Sequence, residues 1–484
     1  MDRLRALYGW IDQRLALGKL FEATGGHLVP ANAGSWFYVF GSATLLCLII
    51  QIVTGICLSL VYVPSASEAW TSLEYLNYEV PLGWYLRAVH YWGSNFMVAL
   101  MSMHMAQVFL FGAYKYPREL TWVSGCVLFV LTLGMAFTGQ VLRWDQDAYW
   151  GVGIGMSIAG RSPGIGAQLV HAVLGGPIIG AATLSRFYAL HVFVLVGLIL
   201  ATVTLHLRMV LHNGINEFPD PTKPVDPDTY RAAYAELIRR TGVPFFPKAI
   251  EKDLVFGGLV ILAILVVAAL VGPAGPNGPP DPTLIRTSPR PDFYFLPLFS
   301  LFALLPPYTE TVLILVGPVI AIALLFAIPF LERSGQKSPL RRPIAVLGVI
   351  LVFLVLGSLA VLGQTSPWSP VMDAWSGLPL PEQALQGRSP LELAGAAVFQ
   401  NKQCRNCHAV GGTGGERGPE LDDVAARLTG DQLIRQVLQG GGNMPAYGKQ
   451  LSPAEVTALV AWLETLHPSY EPPAWNAAYA RPER

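Results

Sequence analysis

Charge is what this 484-residue chain is short of: 13% of it is Asp, Glu, Lys or Arg, against roughly 25% in an ordinary soluble domain. Its 32 basic and 32 acidic residues cancel, and no basic block gives nucleic acid an electrostatic foothold, so a nucleic-acid partner is excluded. Cysteine is rarer still. Of five cysteines, two share one CxxCH, which rules out a disulfide scaffold. Cys47, Cys57 and Cys126 lie in apolar stretches and read as packing residues. Internal repeats and low-complexity tracts are missing, and a hydrophobic content of 52% excludes disorder over most of the chain. No cleavable signal peptide is visible. Residues 1–35, with LYGWIDQRLALGKLFE, are polar and amphipathic and are expected to lie on a membrane surface.

What the chain does have is long apolar runs. A helical span needs about 20 mostly apolar residues, and seven stretches qualify: 36–62, 88–111, 120–142, 187–210, 254–271, 308–330 and 344–363. Lys and Arg are richer in 1–35 and in the second, fourth and sixth connections than in the others. That bias predicts a cytoplasmic N-terminus. An odd number of spans then leaves the C-terminus on the periplasmic, outer side of the cell membrane. The expected fold class is all-α, a seven-span transmembrane helical bundle followed by a small soluble α-helical domain. The boundaries are a surface segment at 1–35, a four-span core at 36–215, a cytoplasmic loop at 216–253, a three-span part at 254–363, a Pro-rich linker at 364–390, a soluble domain at 391–470 and a tail at 471–484. In the soluble domain, LELAGAAVFQ, TGDQLIRQVLQ and SPAEVTALVAWLETL have helical patterns, the last opened by a capping box from Ser452 to Glu455 with Pro453 at the first helical position.

Four of the nine histidines fall inside expected spans. An intramembrane ionisable group is costly and marks function by default. His90 and His104 are 14 apart on the second span, and His191 and His206 are 15 apart on the fourth. At 3.6 residues per turn these intervals return to within about 40° and 60° of the starting face and rise about 21–22 Å. The two spans run in the same direction, so His90 pairs with His191 near the outer face and His104 with His206 near the inner face. Two imidazoles alone under-ligate a bare metal. Two stacked bis-imidazole sites suit two b haems that pass electrons across the membrane. Gly41 and Gly55, and likewise Gly125 and Gly139, repeat the 14-residue interval, as backbone close to a porphyrin edge would require; small-residue helix packing is the other reading. Arg87, Arg118 and Arg186 stand at span ends as candidate propionate partners, or as plain interfacial charges.

Cys404-Arg405-Asn406-Cys407-His408 is a haem c attachment motif: two thioethers and a proximal His408. A zinc ribbon would want a second CxxC. Met444, in GGGNMPAYGKQLS, resembles the Met-Pro ligand loop of small monohaem cytochromes c. A thioether opposite His raises the haem potential.

RAVHYWGSNFMVALMSMH, YKYPRELTW, TLSRFYALHVF and PDFYFLP resemble the cytochrome b subunit of Rieske/cytochrome bc complexes over about 75% of the chain. The 15-residue spacing and seven spans are similar to the chloroplast-type branch, with its two polypeptides fused. The resemblance implies quinol oxidation at an outer Qo site lined by Pro291, Asp292, Phe293 and Tyr294, with Tyr149 and Gly151 of DAYWG as the opposite wall. Asp292 takes the role of proton acceptor. Phe293 stands where the family has Trp, and Arg143 where the family's Leu-Pro-Trp has Pro. At an inner Qi site His212 and Arg208 are the candidates. That branch's extra inner haem is held by a Cys at the place of Val39, and is expected to be absent. A Rieske iron–sulfur protein must be a separate chain, since no second Cys/His box for a [2Fe–2S] cluster exists here. A homodimeric complex and a cytochrome c or terminal oxidase as acceptor complete the expected partners. The expected activity is quinol–cytochrome c reduction coupled to proton translocation. The alternative is a non-bifurcating haem conduit anchoring a periplasmic dehydrogenase, which explains the histidines but not PDFY, DAYWG or the last three spans.

Overall fold

The computed structural model describes residues 2–31, 35–176, 179–280, 290–305, 307–332, 334–365, 378–414, 418–440, 444, 447–448 and 450–467. The expected tail and residues 366–377 of the expected linker lie outside these. The chain forms two compact units: Met1–Arg143 with Phe187–Pro276 and Asp292–Gln364, and Trp144–Arg186 with Asn277–Pro291 and Thr365–Arg484.

In the first unit, α1 (Asp2–Leu15) and α2 (Leu17–Thr24) lead to α3 (Phe40–Ser59), the short α4 (Ala69–Tyr78), α5 (Gly83–Leu110) and α6 (Glu119–Val141). After the second unit's α7 (Gln146–Gly160) and α8 (Gly166–Leu174) come α9 (Ala181–Asn213), α10 (Pro227–Thr241), α11 (Glu251–Val271), α12 (Leu296–Leu304), α13 (Pro307–Leu331) and α14 (Pro343–Thr365). Among the described residues six helices are long and apolar enough to cross a membrane: α3, α6, α9, α11, α14 and residues Thr311–Leu331 of α13. The expected second span is α5, whose 28 residues reach about 42 Å but whose composition is too polar to join them. It is the bundle's interior helix, and it buries Arg87, Asn95 and Gln107. Ala43 and Cys47 of α3, Ala88, Val89, Met97, Leu100 and Met101 of α5, and Val260, Ile264 and Ala268 of α11 form one core. By contrast α14 is exposed along its length, with Ile344 at 85%. Apolar surface on that scale is tolerable only against lipid, and the chain is a membrane protein.

Local sequence explains the elements between spans. Asp226 caps α10 with Pro227 at its first turn, and Asp145 caps α7 by accepting from Ala148 N at 2.9 Å. Helices α7 and α8 fall between the expected third and fourth spans, where the sequence has no apolar run long enough to cross a membrane. A short antiparallel pairing of β1 (Leu28–Val29) with β2 (Val243–Pro244) ties the N-terminal segment to the approach of α11. A buried knot closes one end of the bundle. Lys115 pairs with Glu332, while Arg342 donates to Phe109 O at 2.8 Å and to Tyr114 OH at 2.6 Å.

In the second unit, α15 (Pro390–Asn401), α16 (Gly430–Gln439) and α17 (Pro453–Leu463) are the three helices the patterns predict, with the Ser452–Glu455 capping box formed. Gly395 lets α15 cross the Ala458 backbone of α17, where a Cβ would collide. Phe399 and Trp462 pack with ring centroids 4.9 Å apart. Leu380 and Ala384 belong to this core, and Trp462 Nε1 donates to Ala384 O at 3.1 Å. Packing therefore begins ahead of residue 391, inside the expected linker. A Pro-rich stretch reads as extended chain whether or not a hydrophobic core receives it.

Candidate redox centres

The four intramembrane histidines meet in the pairs their order predicts. The rings of His90 and His191 have centroids 6.5 Å apart at 74°. Two metal–imidazole bonds of about 2 Å each, with the ring radii added, fill such a distance. His104 and His206 form the second pair and interact electrostatically.

Hydroxyls orient three of these rings. Thr54 Oγ1 lies 2.8 Å from His90 Nδ1, Ser124 Oγ 2.9 Å from His206 Nδ1, and Thr138 Oγ1 3.0 Å from His191 Nδ1. Each hydroxyl already donates its one proton to its own helix: Thr54 to Ile50 O at 2.6 Å, Ser124 to Thr121 O at 2.8 Å, Thr138 to Gly134 O at 3.0 Å. Toward imidazole it can only accept. The proton therefore sits on Nδ1, and Nε2 is left with the lone pair that coordinates a metal. The sequence carried this signal unread, since the three hydroxyls immediately precede Gly55, Gly125 and Gly139.

The glycines face imidazole. A Cβ on Gly41 would stand 3.0 Å from His104 Cε1, on Gly55 3.3 Å from His90 Cε1, on Gly125 3.6 Å from His206 Cε1, and on Gly139 2.7 Å from His191 Cε1. These are cradles that larger side chains would crowd. The nearest neighbour of each missing Cβ is the imidazole ring.

The unequal spacings also resolve. Residues Leu190–Val194 of α9, centred on the His191 turn, are π-helical. A π-turn absorbs one extra residue without changing the face. The 15-residue interval on α9 thus acts like the 14-residue interval on α5.

The three arginines are engaged by protein. Arg87 Nε donates to Asn77 Oδ1 at 2.9 Å and Nη1 to Ala274 O at 3.1 Å. Arg118 holds the end of α9 through Asn213 O and Gly214 O at 3.1 and 3.0 Å. Arg186 donates to Ala172 O.

Before α12, Asp292 is held by both carboxylate oxygens. Tyr294 OH donates to Oδ2 at 2.8 Å and Tyr91 OH to Oδ1 at 3.3 Å. Tyr91, next to ligand candidate His90, was not singled out in the sequence. Burial and then the charge of Asp292 push the Tyr294 phenol well above its ordinary range, so it stays a donor; Arg143 pulls the other way. The Arg that departs from the expected Pro therefore lies within electrostatic reach of this carboxylate cluster. Phe293 is exposed, and Pro291 is half-buried. Tyr149 and Gly151 lie on α7, in the second unit. Arg208 and His212 lie on the last turns of α9 with exposed side chains. A further half-buried pair, unmarked in the sequence, joins Lys252 Nζ to Asp253 Oδ2 at 2.7 Å, with Ser42 Oγ donating to Asp253 Oδ1 at 2.5 Å. Ser42 is the residue after Gly41, which faces His104.

In the small domain, His408 Nδ1 is 2.7 Å from Pro419 O, and a Cβ on Gly418 would collide with the His408 ring. Burial holds this imidazole below its usual range, hence neutral, as a ligand must be. Met444 Sδ accepts from Gln436 Nε2 at 3.5 Å and packs on the domain core. Arg405, between the two cysteines, is 2% exposed and donates to Leu378 O at 2.6 Å and to Thr413 Oγ1 at 2.8 Å.

Such a molecule is a membrane helical bundle with a ladder of imidazole pairs and an appended CxxCH domain. Comparison with known proteins agrees. Residues 26–214 match the family described as Cytochrome b/b6/petB, residues 279–376 Cytochrome b(C-terminal)/b6/petD, and residues 391–463 Cytochrome C oxidase, cbb3-type, subunit III. Cytochrome b6 of Synechococcus sp. (strain JA-3-3Ab) is 40% identical over 210 residues, 43% of this chain and 97% of that protein. Cytochrome b6 of Synechococcus elongatus is 39% identical over 213 residues, 44% of this chain and 99% of that protein. A solved structure titled Hyperthermophilic respiratory Complex III superposes with a TM-score of 0.61 at 28% identity, over 74% of this chain and 91% of that one. The chain belongs to the cytochrome b/b6 family and carries a C-terminal cytochrome c domain, which together imply haem b and haem c.

Proposed function

We propose that the protein is the fused cytochrome b–cytochrome c subunit of a quinol:cytochrome c oxidoreductase that splits the two electrons of quinol. When bound, haem at His90/His191, at His104/His206, and at Cys404, Cys407, His408 and Met444 supplies one-electron redox centres at three places along the chain. The observation that carries the proposal is the Asp292 cluster. A carboxylate with two phenol donors touches Tyr91, the residue after His90, so one helix turn carries both the contact to a proton acceptor and the proposed haem ligand. Quinol must lose protons as well as electrons, and a positioned carboxylate accelerates the proton step by about 10²–10⁴-fold. Asp292 takes the proton, and Tyr91 and Tyr294 aim it. One electron leaves to a separate Rieske iron–sulfur protein and on to the cytochrome c domain. The imidazole ladder carries the other inward, where Arg208, His212 and the Lys252–Asp253 pair bind quinone and return protons to it. On this reading α5 is a seventh span, the N-terminus is cytoplasmic, the cytochrome c domain lies on the outer side of the cell membrane, and the multi-subunit complex is dimeric.

Oxidant-induced reduction tests this. With quinol present and the inner site inhibited, a pulse of oxidant should make the b haems more reduced while haem c is oxidised. If b and c haems are oxidised together, the electrons are not split and the protein is a linear conduit.

A further inference from the structure

One buried ionic cluster has no part in that electron route. Lys337, in the segment between α13 and α14, is 2% exposed. Its Nζ donates to Asn216 Oδ1 at 2.6 Å, Glu217 Oε1 at 2.9 Å and Tyr230 OH at 3.3 Å. Arg118, 5% exposed, donates to the same Tyr230 OH at 2.7 Å, and its guanidinium lies over the rings of Tyr230 and Tyr234. Tyr38 reaches the cluster from the start of α3. Lys115, paired with Glu332, is the next cation. Glu217 thus pairs with Lys337 directly and is linked to Arg118 through the Tyr230 hydroxyl, which donates to Glu217 Oε2 at 2.7 Å.

The cluster is attached to the inner imidazole pair by two helices. Arg118 precedes α6 and stands six residues before Ser124, whose hydroxyl holds His206. It also grips the end of α9 seven residues beyond His206. Six to seven residues of helix span about 9–10 Å. Over that distance, inside a bundle, charges are felt strongly and salt screens them little.

We propose that Lys337, with Glu217 and Tyr230, is a redox-linked proton-binding site serving the inner imidazole pair. Where Lys337 is neutral, an electron arriving there makes its Nζ bind one proton drawn from the inner aqueous phase. When the electron leaves, the N–H bond breaks and the proton departs. One proton balances one electron each way. Glu217, whose side chain is 23% exposed, stands between Lys337 and solvent. Burial, with Arg118 adding to it, brings the Lys337 ammonium down to about 8 against the pull of Glu217. Below that pH Lys337 is already charged and an electron draws no proton. Above it, the arriving negative charge raises the affinity of Lys337 for a proton, so the midpoint potential falls as pH rises.

The inference rests on an inner haem at His104/His206. Spectroelectrochemical titration of that haem in the full chain, from pH 6 to 10, tests it. The wild type should be flat below about pH 8 and fall above it. Lys337→Met should lie lower at pH 7 and be flat throughout. Lys337→Arg should keep the low-pH potential and be flat. Should Lys337→Met not assemble, Lys337→Arg decides alone, since it retains charge and volume. A wild type flat to pH 10, or a slope that persists in Lys337→Arg, overturns the proposal while leaving the haem assignment intact. A haem spectrum unaltered by His206→Leu overturns that assignment itself.

Discussion

Helices α5 and α9 carry equivalent histidine pairs by different means. On α5 the interval is 14 residues of uninterrupted α-helix, and the helix is largely buried among its neighbours. On α9 the interval is 15 residues, a π-turn surrounds His191, and Ile199 is the one residue counted as buried along Leu195–Asn213. The two share the final position of the imidazoles, each held through Nδ1 or crowded by a glycine of the facing helix. Geometry at the ligand is the constraint, and backbone regularity gives way to it. They also differ in the residue next to the outer histidine. Tyr91 after His90 reaches Asp292, whereas Val192 after His191 has no polar group to offer.

The comparison can be broken most severely at the ligands. His90→Leu and His191→Leu should each remove one of the two b haems, halving the b-haem signal relative to haem c in a pyridine haemochrome assay. Equal loss from either helix is expected because a bis-imidazole site with one ligand is no longer the same site. Asp292→Asn should then slow quinol oxidation by about 10²–10⁴-fold, the range for a positioned proton acceptor, with both b haems retained. Stopped-flow reduction of haem c by a quinol analogue reads this.

Smaller effects sharpen the contrast. Thr54→Ala and Thr138→Ala remove the acceptor of the Nδ1 proton on α5 and α9 respectively. Each should weaken haem retention about 10–100-fold, as loss of an outer-sphere partner does. The α9 change should be the milder, since His191 Nδ1 has Met135 O at 3.1 Å in reserve. Haem transfer to apomyoglobin gives the comparison. Deleting Val194 should be tolerated, because it converts the π-turn to α-helix and leaves 14 residues between the ligands. Adding one alanine between His90 and His104 should not be tolerated unless α5 forms a π-turn of its own. Optical b-haem content of the two variants separates these outcomes. Least of all, Tyr91→Phe should slow quinol oxidation only several-fold, the equivalent of one hydrogen bond of about 1 kcal/mol.

Much of this molecule is legible in its sequence. Span positions come from apolar runs, since a helix crossing lipid must satisfy its backbone internally and cover it with apolar side chains. The pairing of His90 with His191 and His104 with His206 comes from chain direction and rise per residue. Ser452, Pro453 and Glu455 announce α17. Helix α5 is instructive in the other direction. The sequence offers it as a span like the rest, but its polarity sets it apart, because a helix that buries Arg87, Asn95 and Gln107 is shielded from lipid by its neighbours.

The rest depends on contacts between residues distant in sequence. No period reveals that Thr54, Ser124 and Thr138 meet imidazoles, or that Tyr91 meets Asp292 across 201 positions. Lys337, on a connection that reads as an ordinary basic loop, is buried on Glu217 and Tyr230. Composition and periodicity, which are local, determined the class of helices, their number within one, and which histidines pair. Protonation states, ring orientation and the buried ionic cluster were decided only by tertiary structure, because each is set by the through-space partners that replace water when a polar group is buried.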